Sequence, residues 1–236
     1  EYYVGIFSGQ NLIGGSGSVF KVDGGALTVS GRFSSTNTIS LTLSGGVINV
    51  SNIGNTGSNL GSIHLTNASN SIVISGGDIN LVQANSNSTV NNRLDYHLVG
   101  STLNITGGNL NIGSAATVTN FNFRIRGTTP SIVVDNTNNP KTALLNAETT
   151  FRGNITVMEG STLNLQTFNL NLVGNSSQPG NIVNNGLITN SSATGSNRFF
   201  FNGGHGTQTI SGTGSIGNST TPMAIIAISN PQGVSF

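Results

Sequence analysis

Seven carboxylates, three imidazoles and no thiol are the groups from which this chain would have to build acid-base or metal chemistry. The acids are Glu1, Asp23, Asp78, Asp95, Asp135, Glu148 and Glu159. A polysaccharide-cleaving site needs two carboxyls converging on a glycosidic bond, and a calcium site needs several converging oxygens. Asp23 and Asp78 instead flank glycine pairs on opposite sides, each without a second acid nearby, and read as solvated. Asp78 after Gly-Gly also lacks the phase of the calcium-binding nonapeptide repeat. His64, His97 and His205 are isolated, without the close spacing of a metal pair. Asp95-Tyr-His97 is the best local constellation, because alternate residues of a strand share a face and could pair. No serine nucleophile motif accompanies it. Gly203-Gly-His-Gly206 reads as a turn rather than a phosphate loop, since no Lys-Ser/Thr follows. These residues assign no catalytic, cofactor-binding or metal-binding position.

Three other groupings bear on binding. Arg124 and Arg126 share a strand face, while the remaining cations are scattered and the net charge is only +1. Nothing in that balance predicts nucleic acid or an acidic membrane as partner. Phe199-Phe-Phe201, as one strand, must turn at least one ring outward, under a loop, against a subunit or as a ligand platform. The pairs Thr36/Thr38, Thr117/Thr119 and Thr207/Thr209 raise an ice-binding reading, but their irregular spacing argues against a flat array.

The elements that would position these groups are announced by a repeat. Leu41-Thr-Leu-Ser-Gly-Gly-Val-Ile-Asn-Val50, Ile72-Val-Ile-Ser-Gly-Gly-Asp-Ile-Asn-Leu81 and Leu103-Asn-Ile-Thr-Gly-Gly-Asn-Leu-Asn-Ile112 each begin 31 residues after the one before. Phe20-Lys-Val-Asp-Gly-Gly-Ala-Leu-Thr-Val29 precedes the first by 21. Fixed spacing of this kind predicts stacked units that bury their apolar faces only against neighbours. With a side-chain period of two, each copy is two short strands around a glycine corner, whose glycines supply backbone angles that side chains resist. Stacking gives the inward columns Leu41/Ile72/Leu103, Leu43/Ile74/Ile105, Ile48/Ile79/Leu110 and Val50/Leu81/Ile112, and an outer column Asn49/Asn80/Asn111 whose amides can bond from rung to rung. The alternative is a hairpin at each Gly-Gly, placing Leu43 opposite Ile48 in an antiparallel sandwich. Recurrence in register favours an all-β parallel β-helix, or β-solenoid, for which a right-handed winding is expected.

Composition agrees with a built surface. Charged residues are only 6%, against roughly 25% in ordinary domains. Asn, Ser and Thr must therefore carry the solubility, which suits stacked columns where like charges would repel. We expect a single β-solenoid over 1–236: a cap over 1–17, with Tyr2, Tyr3, Ile6 and Phe7 covering the first rung, regular repeats over 18–113, irregular coils over 114–150 and further coils over 151–236. Asn85 to Asn92 reads as an outward loop, Phe121 to Arg126 and Ile132 to Val134 as strands, and Ala143-Leu-Leu-Asn-Ala-Glu148 as the one plausible helical turn. No apolar run approaches the roughly 18 residues that cross a bilayer. The chain begins at Glu1-Tyr2-Tyr3 without methionine or signal peptide, so a piece of a longer polypeptide is expected.

Glu159-Gly-Ser-Thr-Leu-Asn-Leu165, Asn169-Leu-Asn-Leu172, Gly180-Asn-Ile-Val-Asn-Asn-Gly-Leu-Ile188 and Gly206-Thr-Gln-Thr-Ile-Ser-Gly-Thr-Gly-Ser-Ile216 carry a resemblance. They resemble the Gly/Asn-rich β-solenoid segments of large surface and secreted proteins of Bacteroidota-type bacteria. The likeness covers residues 150–236, and 18–113 in style. Ser-Gly-Gly-x-Ile/Leu-Asn is similar also to passenger repeats of autotransporters and haemagglutinin-like exoproteins. The resemblance implies export, commonly by the type IX route, an extracellular or bacterial cell-surface location, and adhesive or structural work. The family's C-terminal sorting domain is not visible in this sequence.

The expectation is a non-enzymatic stalk, filament or adhesin segment without cofactor, whose partners are neighbouring repeats or subunits and surface carbohydrate. The competing reading is a carbohydrate-binding surface or a carbohydrate-active β-helix, of the polysaccharide lyase or glycosidase kind, the latter of which would show at least two acids and a base in one groove.

Overall fold

Each Gly-Gly corner joins two short strands, and neither strand folds back on the other. In the computed structural model, Ile39–Leu43 pairs in parallel with Ser18–Val22 on one side and Ser71–Ile74 on the other. Beyond the corner, Val47–Val50 lies in parallel between Ala26–Val29 and Asp78–Leu81. The chain is a parallel β-solenoid, and the hairpin alternative is excluded at these corners. The described residues are 2–4, 11–51, 61–84, 94–118, 122–191, 198–217 and 225–236. The expected loop between Asn85 and Asn92, and Ile6, Phe7 and Phe121, lie outside them.

A third strand per coil, which lacks the glycine signature, closes the section. Ile63–Leu65 and Tyr96–Leu98 stack between Phe33–Ser35 and Asn122–Thr129. Among the described residues the strands form sheets of ten, twelve and four, and every ladder between them is parallel. Tyr2–Val4 is the first rung of the ten-stranded sheet and Val234–Ser235 the last. At a strand spacing of about 4.8 Å, ten rungs span roughly 43 Å.

The inward columns are those the repeat predicts. Leu41, Ile72 and Leu103 are register partners, as are Ile48, Ile79 and Leu110. Leu41 is 1% exposed and Ile72, Ile48, Ile79 and Leu110 are fully buried, within one apolar cluster that runs from Val22 to Phe201. The outer amides form a ladder: Asn80 Nδ2 donates to Asn49 Oδ1 at 2.8 Å and Asn111 Nδ2 to Asn80 Oδ1 at 2.7 Å.

The two corner glycines have different reasons. Gly77 has φ of 73°, and a Cβ there would lie 2.7 Å from the Gly46 carbonyl oxygen of the coil below. Gly76 has no positive φ, but its Cβ would come within 2.6 Å of the Ser44 carbonyl oxygen. One glycine permits the bend and both permit the coils to stack at strand distance.

The stretch expected to be irregular holds the two longest strands among the described residues, Asn122–Thr129 and Thr142–Phe151. The expected helical turn at Ala143–Glu148 is therefore corrected to strand. Six residues are too few to nucleate a helix, while neighbouring strands offer backbone partners on both sides. Here the twelve-stranded sheet forks. Register runs evenly from Asn122/Thr142 to Ile125/Leu145, then shifts so that Gly127 faces Thr149. The next coil splits: Thr162–Asn164 pairs with the first half of Thr142–Phe151 and Leu170–Leu172 with the second.

Candidate functional site

The candidates read from the sequence do not come together as a catalytic group. Asp95 is fully buried and its Oδ2 accepts the backbone N–H of Arg124 at 2.8 Å. His97, two residues on, is half-buried on the outer face, where its register partners are His64 and Arg126. Its ring meets that of His64 edge to face at 5.5 Å, and the Nδ1 atoms of both rings are buried without a hydrogen-bond partner. Burial, then the neighbouring His64 and Arg126, push His97 down to about 4, so it is neutral at pH 7. His64 is lowered in the same way, by burial and then by Arg32. The two imidazoles therefore stand as neutral rings along a face bounded by Arg32 and Arg126.

Four other acids are engaged elsewhere, while Glu159 is exposed and Glu1 lies outside the described residues. Asp23 pairs with Lys21 at 2.7 Å in solvent, and this hydrogen bond holds its carboxyl below the usual range. Asp78 accepts from Asn109 at 2.8 Å as a flank of the amide ladder. Glu148 accepts from Asn171 at 2.8 Å and Asn169 at 3.2 Å. Asp135 lies 3.6 Å from the ammonium of Lys141, whose side chain is fully buried and also donates to the Thr137 carbonyl. A buried ammonium is costly without such partners, and this one clasps the corner after Ser131–Val134. Sequence reading missed it because a single lysine after proline carries no spacing signal. Among the described residues no three His, Asp or Glu gather as a metal site.

Two surface groupings also resolve. Phe199 and Phe201 are fully buried and pack edge to face at 4.9 Å, whereas Phe200 is half-exposed with the Arg198 guanidinium 5.9 Å above its ring. The threonine pairs do not share one array: Thr117 is buried and donates to the Val82 carbonyl at 2.6 Å, while Thr36 and Thr38 are exposed at another corner. Thr119 lies outside the described residues.

A concavity sits at the fork of the twelve-stranded sheet. It is lined by Arg124 and Arg126, by Leu144 to Ala147 and by the turn Gln166 to Phe168, around a volume of about 540 Å³. Along Asn122–Thr129 Phe123 and Ile125 are buried and Arg126 is exposed, while Arg124, two residues before it on the same strand face, is itself buried at 9% exposure. The register shift leaves three residues, Asn146 to Glu148, opposite Arg126, a bulge within that lining. Gln166 holds a φ of 56°, rare for a residue with a side chain, and its N–H is fixed by Asn164 Oδ1 at 2.8 Å. The Leu165 carbonyl then accepts the Phe168 N–H at 2.9 Å, closing the turn that carries Thr167. The lining carries no carboxylate. Chemically it offers guanidinium, amide and hydroxyl donors beside an aromatic ring, a binding rather than an acid-base inventory.

Comparison of the chain with family models, with curated proteins and with solved structures finds no match.

Proposed function

We propose that the chain is a non-enzymatic structural and adhesive module of an extracellular surface protein, a rod whose outer faces present side chains in fixed register. The observation that carries this reading is the stack of parallel coils, in register except at the fork, with one apolar cluster from Val22 to Phe201 and a row of bonded amides outside it. Such a stack resists bending because successive rungs are joined by parallel ladders of backbone hydrogen bonds. The last rung of the twelve-stranded sheet leaves Ile225, Ile226 and Ile228 at 40%, 43% and 51% exposure, an apolar end of the kind on which another coil or subunit stacks.

The carbohydrate-active alternative calls for two acids facing one groove. The fork pocket has none, the cavity beside Asn80 and Asn111 has only Asp135, and the one beside Arg152 and His205 has none. Cysteines placed at Asn80 and Asn111, register partners on adjacent rungs about 4.8 Å apart, should oxidise to an intramolecular disulfide in the folded protein. Incubation with plant and bacterial polysaccharides should release no new reducing or unsaturated ends. Turnover that disappears in Asp95→Ala or His97→Ala would contradict the reading.

A further inference from the structure

We infer that the fork pocket of the twelve-stranded sheet binds an acidic sugar, with Arg126 holding its carboxylate or sulfate group. The inference deepens the adhesive half of the proposed function and rests on it, naming the ligand class that the rod would hold.

Three features of the pocket converge on that chemistry. The first is charge. Arg126 is exposed in the pocket lining, forms no ion pair with any described residue, and lies beside Arg124 on one strand face. With no acid in the lining, the field inside the pocket favours an anion, although the chain as a whole is nearly neutral. Guanidinium groups match the planar fork of a carboxylate and the oxygen edge of a sulfate better than an ammonium would.

The second feature is the remainder of the lining. Gln166 and Asn146 supply amides that donate and accept, Thr167 a hydroxyl, and Phe168 an aromatic ring. A sugar presents hydroxyls around its rim and C–H groups on its face, so amides and a ring beside a guanidinium suit an acidic sugar better than a bare inorganic anion. A volume of about 540 Å³ accommodates one or two such rings.

The third feature is the built geometry. The pocket exists because three residues bulge opposite Arg126 and because Gln166 holds a left-handed backbone angle. A regular coil would have neither. Bulges and side-chain-bearing residues at positive φ recur where a fold re-aims side chains for binding. Beyond the pocket, Arg126 is the register partner of His97, whose ring meets that of His64. The neutral imidazoles beside Arg126 offer ring edges and faces rather than competing charge.

The test is calorimetric titration of the whole chain with oligogalacturonate, dextran sulfate oligomers and neutral dextran. Binding of the carboxylated probe, the sulfated probe or both, weakened by added salt, with dextran silent, is the expected pattern. Arg126→Ala should weaken that binding about ten- to a hundredfold, the cost of losing a charged hydrogen-bonding partner. Phe168→Ala should weaken it by a smaller factor, and Arg152→Ala, outside the pocket, should leave it unchanged. Arg126 is exposed, so the variant should unfold at the same temperature as the parent, which separates lost binding from lost fold. Failure of every anionic probe to bind, full affinity in Arg126→Ala, or equal loss in Arg152→Ala overturns the assignment. Such a result, with the cross-link between positions 80 and 111 still forming, leaves the structural reading standing; two free thiols there in a folded protein remove that reading instead.

Discussion

Asn111 donates its side-chain amide to Asn80 Oδ1 at 2.7 Å across one full coil of the chain. Asn80 passes the arrangement on to Asn49 at 2.8 Å, and Asn49 Nδ2 reaches Thr28 Oγ1 at 3.2 Å. An outward column of a repeat is thus a bonded spine. Asn80→Ala removes two of these half-buried bonds and should cost about 1–3 kcal/mol. Asn104→Ala, on an exposed position of a neighbouring strand, should stay within about 0.5 kcal/mol. Chemical denaturation of both variants checks the contrast, and equal losses would mean that the ladder contributes nothing.

The period-two facing makes a sharper demand on adjacent residues. Ile72 is fully buried between Leu41 and Leu103, whereas Val73 points to the outer face and is half-exposed. Ile72→Ala should cost about 2–5 kcal/mol, the range for a buried aliphatic truncation. Val73→Ala should cost about 0.5 kcal/mol or less. Because Ile72 and Leu103 share the space a truncation would open, the double variant should depart from additivity by about 0.5 kcal/mol or more.

The parts of the fold that were legible are those written more than once. Leu41, Ile72 and Leu103 could be stacked on paper because the same ten-residue pattern returned at one spacing, and the glycine pair marked the bend each time. The third strand, Ile63–Leu65 and Tyr96–Leu98, has no such marker and is placed by backbone pairing alone. The fork pocket was half legible. The shared face of Arg124 and Arg126 follows from alternation, but Asn146, Gln166 and Phe168 reach it through a bulge and a split coil, which depend on register between distant strands. Asp95 and His97 illustrate the opposite failure. Their spacing suggested a pair, yet Asp95 lies in the buried approach to the strand and takes the Arg124 N–H, while His97 turns to His64.

Acid should weaken the fold through the imidazole pair. His97 has its pKa depressed from 6.5 to about 4 by burial, His64 and Arg126, and His64 shifts in the same direction. Between those two values the unfolded chain binds more protons than the folded one, so stability rises with pH across that window. The contribution is complete above about pH 6.5, is lost as pH falls toward 4, and changes no further below it. His97→Asn should flatten this part of the pH–stability curve relative to the parent. Parallel curves for the two proteins between pH 4 and 6.5 would show that the ring titrates as freely folded as unfolded.

The parallel stack is most directly tested by a cross-link, since the chain has no cysteine of its own to interfere. Asn80 and Asn111 are register partners on adjacent rungs. A rung spacing of about 4.8 Å falls within the Cα separations that a disulfide spans. The paired substitutions Asn80→Cys and Asn111→Cys should therefore oxidise readily to an intramolecular disulfide, detected as a joined peptide by mass spectrometry. The pair Asn80→Cys and Val73→Cys, on different faces of one coil, should remain reduced. Formation of the first link and not the second is what a stacked solenoid requires; two free thiols at 80 and 111 in a protein that remains folded would contradict it.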